Sequence, residues 1–143
     1  MNQQALKQII QSLQQDQQLL QQLSPLLQKQ YVLLSLRKSA ELDLLNQQAT
    51  DLLAQVQRNH QLRKQAMADL QLPLTEQGFA QLLQKLPAGI RNASEDLLQK
   101  VQRHTELCQQ LNQKNGELLA QQRGLLQRLL GQPDQQSYPQ LSF

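Results

Sequence analysis

The sequence predicts an all-α fold: an elongated antiparallel bundle of three long helices with coiled-coil-like seams, one short connecting helix and a flexible C-terminal tail. Leucine and glutamine each supply about a quarter of the chain, whereas aromatic residues make up only 3%. Because leucine supplies most of the apolar area, helix-to-helix seams are favoured over a deep globular core. Five glycines and five prolines are too few to turn a chain of short strands.

The first helix is predicted from apolar residues that alternate at spacings of four and three, as in a coiled-coil seam. Pro25 lies inside this pattern, where it removes a backbone hydrogen bond and clashes with the preceding turn. We expect a kink near Leu23, because the seam continues across the proline. The alternative is a restart of the helix with Ser24 as its cap. The predicted seam residues are Leu6, Ile10, Leu13, Gln17, Leu20, Ser24, Leu27, Tyr31 and Leu34.

The second helix is predicted from about Ala40 to Leu70, with Ser39 as its N-cap. The link to the first helix is only a few residues long, so the two helices should be antiparallel neighbours. After Pro73, Thr75 is expected to cap a short helix over residues 76–86. The predicted seam of the second helix is Leu42, Leu45, Ala49, Leu52, Val56, Asn59, Arg63, Ala66 and Leu70.

The last helix is expected to begin at Ser94, with Glu95 and Asp96 in its first turn, where negative charge is favourable. We therefore expect one helical bundle domain over residues 1–131 and a flexible tail over residues 132–143. The predicted seam of the last helix is Leu97, Val101, His104, Cys108, Leu111, Asn115, Leu118, Gln122, Leu125 and Leu129.

The charge pattern gives little support for nucleic-acid binding. The formal net charge of +3 is small and dispersed, whereas nucleic-acid binders gather basic residues on one face. The densest basic cluster is Arg58, Arg63 and Lys64, which we interpret as a solvated helix face. The single cysteine fits a reducing compartment. Neither a signal peptide nor a membrane span is recognisable, so we expect a cytoplasmic location without membrane insertion.

No set of residues in the sequence predicts catalysis. The only histidines, His60 and His104, lie on different helices at or beside seams, where packing is the usual role. Cys108 is one turn from His104, so a Cys–His pair is geometrically possible, but no third orienting group is recognisable. Phosphate loops, paired metal-ligand motifs and nucleophile elbows are also lacking. We therefore expect no enzyme activity, no metal and no cofactor.

Leucine doublets widen the apolar stripe of the last helix. Each doublet places one leucine on the seam and the next about 100° around the helix. Such a stripe either packs against two neighbouring helices or stays exposed as a groove for a partner helix. Packing is favoured for Leu98, and both alternatives stay open for residues 118–130.

The run from Leu111 to Leu119, Leu-Asn-Gln-Lys-Asn-Gly-Glu-Leu-Leu, resembles the Leu-x-x-x-Asn-Gly-x-Leu-Leu signature of FlgN-type flagellar export chaperones. The resemblance implies a cytoplasmic chaperone that binds C-terminal helices of the hook–filament junction proteins FlgK and FlgL. It would prevent their premature assembly and bring them to the export gate FlhA, with Tyr138 as the gate-docking residue. The implied client-binding residues are Leu111, Asn115, Gly116, Leu118, Leu119, Leu125, Leu126 and Leu129.

A client-binding chaperone should be a monomer or a weak homodimer. The alternative is a self-associating coiled-coil adaptor or scaffold without a secretion role, which would bury the leucine doublets in a stable oligomer. An enzyme that uses Cys108 as its nucleophile is a third class, and Cys108→Ser would abolish its activity.

Overall fold

A computed structural model describes residues 3–130 of the chain, without the side chain of Leu126. It contains four helices: α1 (Gln3–Ser35), α2 (Ser39–Asp69), α3 (Glu76–Gln84) and α4 (Ala88–Leu130). No strand occurs within residues 3–130, so the predicted all-α fold is confirmed. The predicted tail lies outside the described residues.

Hydrogen bonds between α1 and α4 show that these two helices are parallel. His104 Nδ1 lies 3.2 Å from Gln17 Oε1 near the middle of α1. Further along both helices, Gln122 Nε2 donates to the carbonyl oxygen of Leu34 at 2.7 Å. The residue numbers of the partners rise together, so α4 runs in the same direction as α1.

Helix α2 runs in the opposite direction. Asn59 near its C-terminal end donates to Asp16 at 2.8 Å, and Asn46 near its start accepts a hydrogen bond from Gln30. The partner numbers change in opposite senses, as in antiparallel helices. The three long helices therefore form an up-down-up bundle, and the predicted antiparallel order of successive long helices is confirmed.

Helix α1 is the central helix, because both α2 and α4 pack along it. The predicted seam of α1 makes the hydrogen bonds to α4. A second stripe lies one residue earlier in the same four-three spacing, and it makes the polar contacts to α2. This second stripe was not predicted. Its buried residues are Ala5, Ile9, Ser12, Asp16, Leu19, Leu23, Gln30 and Leu33.

One expectation for the first two helices is met and another is wrong. Helix α1 continues through Pro25, as expected from the unbroken seam, so the alternative of a restart at that residue is wrong. The N-cap of α2 is Lys38, whose side chain makes no capping bond, and Ser39 is already helical; the predicted Ser39 cap is therefore wrong. Instead, Arg37 takes a left-handed φ of 55°, and the amides of Arg37 and Lys38 close the end of α1 on carbonyls of its last turn.

The predicted N-cap of the short helix is confirmed, whereas the predicted N-cap of the last helix is wrong. Thr75 caps α3 through a 3.1 Å bond from the amide of Gly78. Helix α4 begins at Ala88, so Ser94 is a buried residue within the helix rather than its cap. Between the two helices, the Arg91 guanidinium donates to three carbonyl oxygens at the C-terminal end of α3. This arginine satisfies carbonyls that a helix end leaves unpaired.

Candidate protein-binding groove

Helix α4 extends past the end of its neighbour α1. Gln122 lies level with Leu34, since the two are hydrogen-bonded, and α1 ends at Ser35. Because Arg123 is then level with Ser35, residues 124–130 of α4 continue beyond α1 by about 10 Å, at 1.5 Å per helical residue. The α1–α2 turn and the first turn of α2 lie at this end of the bundle.

A groove of about 300 Å³ lies between the extended end of α4, the end of α1 and the start of α2. Five leucines from all three helices form most of its wall, and a serine, a glutamine and two arginines complete it. We call it the α4 groove. Its lining residues are Leu34, Arg37, Ser39, Leu42, Leu119, Gln122, Arg123, Leu125 and Leu129.

The outer part of the α4 groove exposes large apolar side chains. Leu125 is 47% exposed and Leu129 is 75% exposed, and the adjacent Leu130 is 60% exposed. Single exposed leucines are common on protein surfaces, but leucines that share one groove are typical of a site for another apolar surface. The spacing of four between Leu125 and Leu129 places both on the same face of α4.

A buried polar relay lies one to two turns below the α4 groove. The Asn115 amide donates to the carbonyl oxygen of Leu27 at 2.8 Å and to Gln30 Oε1 at 2.7 Å. Gln30 in turn donates to Asn46 Oδ1. The relay thus links α4, α1 and α2. Any other register of the helices would leave these buried polar groups unpaired, which would lower the stability of the fold.

Comparison with the sequence models of protein families identifies the family of this chain. The sequence model described as FlgN protein matches residues 1–132. The chain belongs to the FlgN family. No curated protein and no solved structure matches it. FlgN is a family of flagellar export chaperones and not of enzymes, and it implies protein clients for this chain. None of the helices in the described part of the chain has an apolar stretch that could span a lipid bilayer.

Three of the client-binding residues implied by the FlgN resemblance line the α4 groove: Leu119, Leu125 and Leu129. Leu118 is half-buried at the same level of α4. The side chain of Leu126 lies outside the described residues. The leucine doublets of α4 therefore leave apolar area exposed beyond residue 124, whereas Leu98 packs against the core as predicted.

The other residues implied by the FlgN signature lie elsewhere. Leu111 packs against the hydrophobic core of the bundle, and Asn115 is fully buried in the relay. Gly116 is half-buried beside it. Client contacts by these three stay a prediction, and a contact with the fully buried Asn115 would require α4 to separate from α1. Tyr138 lies outside the described residues, so its gate-docking role also stays a prediction.

Sequence reasoning missed the contribution of the first two helices to the α4 groove. Leu34 and Leu42 were predicted only as seam residues, and the link that contains Arg37 was predicted only as a short connection. A usable signal was present in the helix lengths, because the last helix is longer than the first. If the first and last helices are aligned at the end of the bundle where both begin, the last turns of α4 extend beyond the link between the first and second helices.

A second concavity, of about 940 Å³, lies along α2, but most of its lining residues are polar types. Five of the seven residues are glutamine, arginine or histidine, and only Ala54 and Leu62 are apolar. An amphipathic helix gains its binding energy by burying an apolar stripe. The α4 groove is therefore the better candidate for a helical partner.

The basic cluster on α2 is only partly a solvated face. Arg58 and Lys64 are exposed, as predicted, but Arg63 is buried and the prediction for this residue is wrong. Its Nη1 lies 2.6 Å from Asp16 Oδ2 and donates to Ser12 Oγ at 3.3 Å. Arg63 is therefore a structural residue of the α1–α2 interface.

The geometry around Cys108 disfavours nucleophilic chemistry. The side chain is fully buried, with Sγ 3.9 Å from the carbonyl oxygen of Leu20. Burial raises the pKa of the Cys108 thiol to about 11, so very little reactive thiolate forms near neutral pH. His104, the other half of the considered pair, is placed against Gln17 instead. Both residues are interface residues between α1 and α4.

Proposed function

We propose that this chain is a cytoplasmic export chaperone that binds C-terminal helices of the junction proteins FlgK and FlgL, prevents their premature assembly and delivers them to the export gate FlhA. Membership of the FlgN family supports the chaperone role. The observation that carries the proposal is the α4 groove, in which Leu125 and Leu129 remain exposed beside leucines of α1 and α2.

The physical basis of client binding is the burial of one apolar stripe against another. A helix that will later pack in an assembled filament presents an apolar face while it is still unassembled, and that face promotes aggregation. The α4 groove offers a complementary leucine surface at one end of the helical bundle. Burying such a stripe releases enough free energy to hold the client without nucleotide hydrolysis.

The test is binding of a peptide from the C-terminal helix of a junction protein to the full chain and to the Leu125→Ala, Leu129→Ala double variant. We expect the variant to lose about 2 kcal/mol of binding free energy, which is about thirtyfold in Kd. Its helicity should be unchanged, because both leucines are largely exposed. Fluorescence anisotropy gives Kd, and far-UV circular dichroism gives helicity.

The chain offers a matched control in Leu44 and Leu62 of α2. These leucines are 73% and 52% exposed, close to the values of the test pair, but neither lines the α4 groove. The Leu44→Ala, Leu62→Ala variant should bind the peptide with the Kd of the unmodified chain. Equal loss in both variants, or no binding by the folded chain, would contradict the proposed site.

Oligomeric state separates the chaperone from the scaffold alternative. The proposal expects a monomer or weak homodimer in analytical ultracentrifugation. A stable oligomer that dissociates in the Leu125→Ala, Leu129→Ala variant would instead show that the exposed leucines join copies of the chain.

Delivery to the gate is tested separately. Tyr138→Ala should reduce co-precipitation of FlhA while peptide binding is retained. Retention of full FlhA binding would contradict the role of Tyr138.

A further inference from the structure

We propose that the α4 groove selects a helix whose leucine stripe is flanked by acidic side chains, with Arg37 and Arg123 as the residues that determine this specificity. The inference rests on the proposed function and adds the chemistry of the partner. The supporting observation is that, among the residues that the structure describes, the charged residues lining the α4 groove are these two arginines, without an aspartate or glutamate.

The two arginines belong to different walls of the α4 groove. Arg37 lies in the turn between α1 and α2, and Arg123 lies on α4, directly after the residue that bonds to the end of α1. The groove between them is lined by leucines. A helix that places its apolar stripe on those leucines therefore brings the side chains beside the stripe close to basic groups.

The backbone of each wall is held in place. Arg37 is fixed by its own amide, which donates to Leu34 O at 3.1 Å, and by the next amide, which donates to Leu33 O at 3.0 Å. Arg123 follows Gln122, whose side chain donates to the same Leu34 carbonyl at 2.7 Å. Both positively charged side chains thus project from anchored backbone, which reduces the entropic cost of meeting a partner's carboxylates.

Charge supplies the discrimination that leucines cannot. Many amphipathic helices carry a leucine stripe, and an apolar groove alone binds them with similar affinity. Two arginines favour acidic flanks and repel basic ones, so the difference between the two kinds of helix is larger than either effect alone. Because the groove is open to solvent, this preference should weaken as ionic strength rises.

The probes are three synthetic amphipathic peptides with one leucine stripe, whose flanking positions are all glutamate, all glutamine or all lysine. We expect the full chain at low salt to bind the glutamate peptide about tenfold more tightly than the lysine peptide, with the glutamine peptide between them. The Arg37→Gln, Arg123→Gln variant should lose this ranking but keep its affinity for the glutamine peptide. In 0.5 M salt the differences in Kd among the three peptides should become smaller for the unmodified chain.

The control variant is Arg58→Gln, Arg103→Gln, which changes net charge equally at two exposed arginines outside the α4 groove. It should preserve the ranking. Loss of the ranking in the control would show a general charge effect and overturn the assignment, as would equal affinity for all three peptides. If equal affinity is accompanied by binding of the junction-protein peptide, the proposed function stands and only the charge selection fails.

The C-terminal segment of the chain itself carries one acidic side chain, Asp134. In the full-length Asp134→Asn variant we expect unchanged affinity for the glutamate peptide. A clear rise in that affinity would make the chain's own C-terminal segment the partner of the arginines and overturn the proposal.

Discussion

The buried ion pair between Arg63 and Asp16 should make α2 unusually sensitive to a single substitution. The two side chains are 8% and 2% exposed, and their nearest charged atoms are 2.6 Å apart. Asn59 adds a 2.8 Å hydrogen bond to the other carboxylate oxygen. Arg63→Met removes the positive charge and leaves a buried carboxylate that only neutral groups contact.

Breaking such a pair from one side costs about 3–5 kcal/mol, because the remaining charge stays buried without compensation. Replacing both charges by apolar side chains of similar volume is often neutral or stabilising. We therefore expect Arg63→Met to lower the free energy of unfolding by about 3 kcal/mol or more, and Asp16→Leu, Arg63→Met to recover most of that loss. Arg58→Met is the control, since Arg58 is exposed on the same helix.

Urea unfolding followed by far-UV circular dichroism measures these differences, provided that the m-value is unchanged. The control should lie within about 0.5 kcal/mol of the unmodified chain. Two results would refute the reasoning. One is a single variant as stable as the control, and the other is a double variant as unstable as the single variant.

Three further predictions concern local features. Gln71 has a left-handed φ of 60°, so Gln71→Gly should raise the free energy of unfolding by about 1 kcal/mol in urea, whereas Gln71→Ala should not. Burial, then Arg63 and Lys64, lower the pKa of His60 below 6.5, so below that pH the unfolded chain binds more protons and stability falls. This fall between pH 7.5 and 5.5 should be smaller in His60→Gln. The Cys108 thiol, with a pKa of about 11, should react with a disulfide reagent at pH 8 far more slowly in the folded chain than in urea.

The four-three spacing predicted the long helices well, because leucines repeat along one face of each. It failed for the second stripe of α1, where Ser12, Asp16 and Gln30 interrupt the apolar pattern. These polar residues are buried where α2 supplies partners for them, and Gln30 has a further partner on α4. A single sequence shows polarity at each position, but it does not show which residue of another helix is the partner.

Sequence rules for helix N-caps were reliable where one residue could begin the helix. They were unreliable where several positions could begin it. Thr75 was predicted correctly because it stands alone between a proline and a helical segment. Ser94 has the residue type of a cap, yet α4 already begins at Ala88. There, the amides of Ile90 and Arg91 donate to the carbonyl of Pro87, and this earlier start lets Arg91 close the end of α3.

The α4 groove shows why the site was only half predictable. The leucines of α4 follow from the doublets, whereas Leu34, Leu42 and Arg37 join them only after the helices are aligned. Their alignment is set by interior hydrogen bonds such as that between Gln122 and Leu34. Sequence periodicity gives the face of each helix, but the relative height of two helices depends on these interhelical bonds.

The two ends of the bundle differ in a way that favours the α4 groove as the proposed client site. At the end where α4 begins, α3 packs on α4 and Arg91 donates to the carbonyls of Leu83 and Gln84 in the last turn of α3. At the other end, residues 124–130 of α4 continue beyond the last residue of α1. A helical segment of seven residues is not stable in water by itself, so it depends on the preceding turns that α1 supports. A partner helix in the α4 groove would cover Leu125 and Leu129 in the way that α1 covers leucines along the rest of α4. The partner would thereby add one more helix to the bundle.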